Sequence, residues 1–157
     1  MAKTRKAPAR RSVSVGRKPV RFEELTVKDI VHQRVQSARP DLTGDQVASL
    51  LLKAGGAVPV VDKSKQLVGV VSEHDVLLAL DEGQAWGART VEELMSANPY
   101  SVRPETSLPT LVHVLTESDL LSVPVVNEAN QLLGMVTRRD VLRAALRPAA
   151  KRRSSAG

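Results

Sequence analysis

The apolar and polar positions of this chain repeat. Residues 58–78 read VPVVDKSKQLVGVVSEHDVLL and residues 123–143 read VPVVNEANQLLGMVTRRDVLR. In each stretch a Val-rich run, a polar turn and a second apolar run lead into a closing amphipathic segment. The pattern predicts strands at Ala57–Val61 and Ser122–Val126, polar turns at 62–65 and 127–130, and second strands at Leu67–Ser72 and Leu132–Thr137. Helices follow over 73–80 and 138–146. Upstream, Thr43 with Gln46 three residues on forms a capping box that starts an amphipathic helix running to about residue 53. Its counterpart begins after Ser107, with Pro109 in the first turn, where a missing N–H costs little. Short helical turns are expected near 27–31 and 91–95, and brief extended pieces near 35–38 and 100–102, each leading to an Arg-Pro pair. The predicted order is β-α-β-β-α, twice, in the α+β class. Two small sheets of this kind cannot each hide an apolar face alone, so they should pack sheet to sheet.

The repeat is a duplication and not a coincidence of composition. At an offset of 65, eleven of the twenty-one positions in the two stretches are identical. At an offset of 64, Ser37-Ala-Arg-Pro40 faces Ser101-Val-Arg-Pro104, and Val27-Lys-Asp-Ile30 faces Val91-Glu-Glu-Leu94. A unit of roughly 60 residues has been copied. The expected boundaries are a basic tail at 1–21, repeat one at 22–83, repeat two at 84–146 and a second basic tail at 147–157.

The junction of last strand and last helix recurs as Gly-x-x-Ser/Thr-x-x-Asp, with Gly69, Ser72 and Asp75 in one copy and Gly134, Thr137 and Asp140 in the other. A glycine inside a strand allows something to approach the backbone closely. The hydroxyl stands at a helix start, where free N–H groups and the positive dipole end suit a phosphate. A carboxylate one turn on can accept from both hydroxyls of a ribose. The same Ser/Thr-x-x-Asp spacing is also a helix N-cap pattern, and both readings stand at this point.

The tandem arrangement of a Val-Pro-Val-Val strand, then Gly, then Ser/Thr-x-x-Asp resembles a pair of CBS domains, named after cystathionine β-synthase and often called a Bateman module. The resemblance covers about 27–146. It implies two repeats packed with pseudo-twofold symmetry and two clefts between them, which in family members that bind adenosine compounds hold AMP, ATP or S-adenosylmethionine. It implies that Asp75 and Asp140 bind ribose hydroxyls, that Ser72 and Thr137 contact ribose or phosphate, and that Ser37 and Ser101 lie near base and phosphates. Ala57 and Ser122 would place backbone at the adenine edge, with Val58, Val70, Val123 and Met135 as apolar walls. Ser37 and Ser101 stand where the family usually has Thr. The resemblance also implies pairing into disc-like homodimers.

The two clefts should differ. Copy two carries Arg138 and Arg139 between hydroxyl and aspartate, where copy one carries Glu73 and His74. Arginine binds phosphate bidentately and Glu73 would repel it, so a phosphate-bearing ligand should favour the Thr137/Asp140 cleft.

Charge and composition narrow the function classes. The net charge of +6 is concentrated at the ends: residues 1–21 hold eight basic groups and 147–157 hold four, with no acid in either, so 22–146 has a net charge of −6. Such arms, poor in core-forming residues, are expected to be disordered. They could attract nucleic acid non-specifically by counterion release, which makes the alternative reading a dimeric scaffold for basic arms. Aromatics are only 2% of the chain, so the core must be aliphatic, and the lack of cysteine excludes disulfides and thiol chemistry and fits the cytoplasm. His32, His74 and His113 show no metal-ligand spacing, and no nucleophile and base converge. Trp86, in the connector, is expected to shield an interface. The sequence therefore reads as a regulatory module and not an enzyme, requiring no cofactor, with an adenine nucleotide as ligand and an unidentified regulated protein as partner.

Overall fold

The computed structural model describes residues 20–83 and 85–147. The expected basic arms lie outside the described residues except for Val20, Arg21 and Arg147. Val20 packs against the core of copy two, and the Arg21 backbone N–H donates to the Glu24 carboxylate at 3.2 Å.

Two short 3-10 turns, η1 (Phe22–Glu24) and η2 (Val27–Asp29), open the structure. Then come α1 (Gly44–Ala54), β1 (Ala57–Val61), β2 (Leu67–Ser72) and α2 (Glu73–Asp81). The connector holds η3 (Trp86–Ala88) and α3 (Val91–Leu94). Copy two continues with β3 (Ser96–Ala97), α4 (Leu108–Glu117), β4 (Ser122–Val126), β5 (Leu132–Thr137) and α5 (Arg138–Ala145). The four long strands stand where the apolar runs predict them. Thr43 caps α1 by accepting from the Gln46 N–H, and Ser107 caps α4 by accepting from Thr110.

Each copy forms an antiparallel hairpin. Ala57 pairs with Ser72 and Ser122 with Thr137, and both hairpins carry a register shift one residue before the end of the first strand. The expected extended pieces near 35–38 and 100–102 shrink to single parallel bridges, Ala38 to Val60 and Val102 to Val125. Proline two residues later has no N–H to extend the ladder. In exchange, β3 pairs with β2, and His32 bridges to Met135 on β5.

The first turn of each copy is exchanged onto the other. The Val27 and Lys28 N–H groups donate to the carbonyls of Thr106 and Pro104 in copy two. Correspondingly, Val91 and Glu92 donate to Leu42 and Pro40 in copy one. Leu25 and Val27 belong to the core built on α4, β4, β5 and α5, while Val91 and Leu94 belong to the core built on α1, β1, β2 and α2. Neither core is complete without a segment from the other repeat. The hairpin turns meet across the pseudo-twofold axis, where Leu67 donates to the Asn130 carbonyl and Leu132 to the Lys65 carbonyl, both at 3.0 Å. Lys65 and Asn130 hold left-handed backbone with φ of 61° and 60°, which turns both carbonyls toward the opposite strand. Trp86 is half-buried and packs against the copy-one core beside α1. A Cβ on Gly44 would run into the Trp86 carbonyl.

Candidate functional site

Both Ser/Thr-x-x-Asp motifs are capping boxes. Ser72 Oγ accepts from the Asp75 N–H at 3.2 Å, and Asp75 Oδ2 accepts from the Ser72 N–H at 2.7 Å and the Ser72 hydroxyl at 2.9 Å. Thr137 and Asp140 repeat this at 3.2, 2.8 and 2.8 Å. The bland half of the sequence reading is therefore present in both copies. It uses one carboxylate oxygen of each aspartate and leaves the other for a different partner.

Those second oxygens differ. Asp75 is half-buried, and its Oδ1 has no partner among the described residues. Asp140 is 5% exposed; its Oδ1 accepts from His32 Nε2 at 2.6 Å and from Arg143 Nη1 at 3.3 Å. His32 arrives from the crossing segment, with its backbone pinned by reciprocal 3.0 Å hydrogen bonds to Met135.

The strand glycines admit protein backbone. A Cβ on Gly134 would collide with the His32 carbonyl and the Val31 side chain; one on Gly69 would collide with the Met95 side chain and the Ser96 carbonyl. The close approach that the sequence assigned to these positions is made by the crossing segments. By holding the segment from His32 onward against β5, Gly134 shapes one wall of a cleft.

That cleft, about 420 Å³, brings Ala57, Ser122, Met135 and Thr137 together. Ala57 and Ser122 begin the two first strands opposite the two capping hydroxyls, so the cleft lies between the repeats as expected. It also contains His32, Arg34 and Lys53, which sequence reasoning missed. The signal was present: at the repeat offset of 64, these positions correspond to Ser96, Asn98 and Glu117. Arg34 and Lys53 give this side of the pseudo-twofold a cationic lining where the other side has a neutral and an acidic residue.

Other expected site residues are placed elsewhere. Val58 and Val123 are not cleft walls: both are fully buried in the two cores, because a strand backed by helices turns these positions inward. Arg138 is turned to its own loop: its Nε donates to the Leu120 carbonyl at 2.5 Å and its Nη2 to Asp119 at 3.0 Å. Glu73, its counterpart, accepts from the Gly56 N–H at 3.1 Å. Both residues tie down the loop before the first strand, one as donor and one as acceptor. Arg139 is exposed. Ser37 lines a separate small cleft with Gln33, Val35 and Lys65, Ser101 is exposed, and Val70 is half-buried opposite Ser96. Among the described residues, no group of three or more His, Asp or Glu side chains could hold a metal ion, and no helix is long and apolar enough to cross a membrane.

Comparison with known proteins matches this geometry. The sequence model of the CBS domain covers residues 27–82 and 91–147. The chloroplastic CBS domain-containing protein CBSX2 of Arabidopsis thaliana is 30% identical over 159 residues, covering 82% of this chain and 66% of CBSX2. The L-aspartate semialdehyde sulfurtransferase of Methanocaldococcus jannaschii is 26% identical over 127 residues, but this chain spans only 24% of its length. The crystal structure of CBSX2 in complex with AMP superposes with a TM-score of 0.71 at 36% identity, covering 78% of this chain and 96% of that one. The CBS domain pair of protein MJ0100, in complex with 5'-methylthioadenosine and S-adenosyl-L-methionine, gives a TM-score of 0.69 at 26% identity over 75% of this chain and 93% of that one. With both repeats matched and the fold of solved CBS pairs reproduced along most of its described length, the chain belongs to the CBS-domain family.

Proposed function

We propose that the protein is a regulatory module that binds an adenine nucleotide between its repeats and alters the activity of a partner protein. The observation that carries this reading is the cleft itself. It sets the Ala57 and Ser122 strand starts, the Met135 side chain and the Thr137 helix start around one space, with two cations on its rim. The strand starts and Met135 suit a base, the helix start suits a phosphate, and Arg34 and Lys53 supply the counter-charge that Arg138 does not. We assign the ribose of the same ligand to Asp140, which lies behind His32 next to the cleft, and a ribose at the first motif to Asp75. The ligands named for CBSX2 and MJ0100 are adenosine compounds, which supports the assignment. The phosphate-bearing ligand favours the Thr137/Asp140 cleft.

In this reading the chain is a binding module, with no catalytic role and no required cofactor. Binding in a cleft made from both repeats favours one packing of the repeats over another and so passes the signal on. A second copy is part of the proposal: Leu77 on α2 and Leu142 on α5, repeat counterparts, are 60% and 62% exposed and offer apolar surface for a homodimer. A cysteine-free chain suits a reducing compartment, and we place it in the cytoplasm, although CBSX2 is chloroplastic.

Isothermal titration with AMP, ADP, ATP and S-adenosylmethionine, on the native protein and on an Asp75→Ala/Asp140→Ala double variant, tests the reading. Saturable heat that the double variant loses is expected. No heat with any of the four compounds would refute it and leave the motifs as helix caps alone.

A further inference from the structure

The two aspartates assigned to ribose are chemically unequal. A carboxylate offers about four lone-pair sites. Asp140 has donors at all four: the Thr137 N–H and hydroxyl at Oδ2, and His32 Nε2 and Arg143 Nη1 at Oδ1. A ribose diol brings donors of its own, so it finds no acceptor at Asp140 while His32 stays in place. At Asp75 the Ser72 N–H and hydroxyl occupy Oδ2, and Oδ1 takes no donor among the described residues. Position 96, the repeat counterpart of His32, is a serine.

We infer that His32 is a side-chain gate on the second cleft: it holds the Asp140 oxygen that a ribose needs, and a nucleotide enters by displacing it. The inference rests on the nucleotide reading above. Three features make His32 a movable cap and not a fixed strut. Its side chain is 59% exposed whereas Asp140 is 5% exposed, so the ring can rotate into solvent while the carboxylate remains. The His32 backbone is held by two hydrogen bonds to Met135, so the ring turns without moving the segment that shapes the cleft. His32 also lines the cleft that a ligand would fill. The charged groups that share a cavity with the ring are Asp29 on η2, Asp140, Arg143 and Arg147 at α5, and Arg34 and Lys53 in the main cleft. Once the ring leaves, Arg143 stays on the aspartate and keeps its charge paired, and a ribose hydroxyl takes the vacated lone pair.

The gate makes the clefts respond at different concentrations. The cationic second cleft attracts the phosphate but requires exchange of one hydrogen bond for another; at the first motif Asp75 Oδ1 takes no donor among the described residues, and the counterparts of Arg34 and Lys53 are Asn98 and Glu117. His32 therefore sets the relative order in which the two clefts fill. Because serine stands at the counterpart position 96 in the same fold, His32→Ser is the substitution best matched to the site.

The test combines AMP titration of the native protein and of His32→Ser with NMR observation of the histidine ring signals. Affinity at the second cleft is expected to rise roughly five-fold in His32→Ser, the size of one modest exposed hydrogen bond. In the native protein the His32 ring signal is expected to shift in step with occupancy while that of His113, exposed on α4, stays fixed. Unchanged or weaker binding by His32→Ser, or a His32 signal that does not move at saturation, would overturn the gate; weaker binding would make His32 a ligand contact. If neither protein binds AMP, the nucleotide reading fails and the gate fails with it; if both bind alike, only the gate is lost. Should His32→Ser not fold, His32→Asn and the native ring signal decide the same question.

Discussion

Repeat one and repeat two share a backbone plan and differ in what their polar groups are committed to. In repeat one, Glu73 accepts from the loop N–H of Gly56, and Asp75 keeps one oxygen without a partner among the described residues. In repeat two, Arg138 donates to the Leu120 carbonyl and Asp119, and Asp140 is saturated by Thr137, His32 and Arg143. One acceptor in the first copy has become one donor in the second, and the loop it ties has changed from Gly55-Gly56, with φ of 73° and 86°, to the longer Asp119-Leu120-Leu121. The same job, closing the loop before a first strand, is done with opposite charge. Duplicated scaffolds thus keep their caps and cores while the electrostatics around each cleft drift apart, and in this protein that drift separates the two sites.

The largest expected break in the comparison is at the strand glycines. Gly134→Ala drives a Cβ into the His32 carbonyl, which cannot move without losing its bond to Met135, so a loss of ~2–3 kcal/mol is expected. Gly69→Ala meets first the flexible Met95 side chain and should cost ~1–2 kcal/mol. Urea unfolding of the two variants checks the order; equal losses would mean that the two crossing segments are equally yielding.

The aspartates come next. Asp140→Ala leaves the half-buried Thr137 N–H and hydroxyl without their acceptor and removes the buried carboxylate that the exposed His32 and Arg143 share, and should cost ~2 kcal/mol, whereas Asp75→Ala loses a half-buried capping contact worth ~1 kcal/mol. The same pair separates the clefts in function. Nucleotide affinity should fall further in Asp140→Ala, and titration at a temperature where both variants remain folded reads this. A larger fall in Asp75→Ala would reverse the assignment of the phosphate-bearing ligand.

A smaller effect is expected on the cleft rim. Lys53→Ala should weaken a nucleotide bearing phosphate several-fold, with an exposed ion pair contributing ~0.5–1 kcal/mol, and leave adenosine binding unchanged. Equal weakening of adenosine would mean that Lys53 touches the nucleoside. The charge-inverted pair of loop ties is expected to have effects of similar size. Arg138→Ala should cost ~1 kcal/mol and Glu73→Ala ~0.5 kcal/mol, since Arg138 holds both a carbonyl and a carboxylate and Glu73 holds one N–H. Thermal denaturation at low and high salt checks this, and the cost of Arg138→Ala should shrink at high salt more than that of Glu73→Ala.

The chain's local chemistry was legible. Val-rich runs bounded by polar turns gave the four long strands their ends; Thr43, Ser72, Ser107 and Thr137 marked the helix starts; and the self-match gave the duplication, because all of these depend on neighbours within a few residues. The family was legible for the same reason, since its motifs are local. What sequence reasoning misplaced or missed depends on contacts distant in the chain. The family resemblance implies Val58 and Val123 as cleft walls, but the helices behind the strands bury both. Arg138 looks free until the Asp119 loop, nineteen residues away, takes it. His32 had no visible role because its partner is 108 residues on. Periodicity and capping fix which elements form, being governed by short-range sterics and hydrogen bonding. Which polar groups remain available to a ligand is decided only when the first turn of each repeat crosses to the other and every buried donor must find an acceptor there.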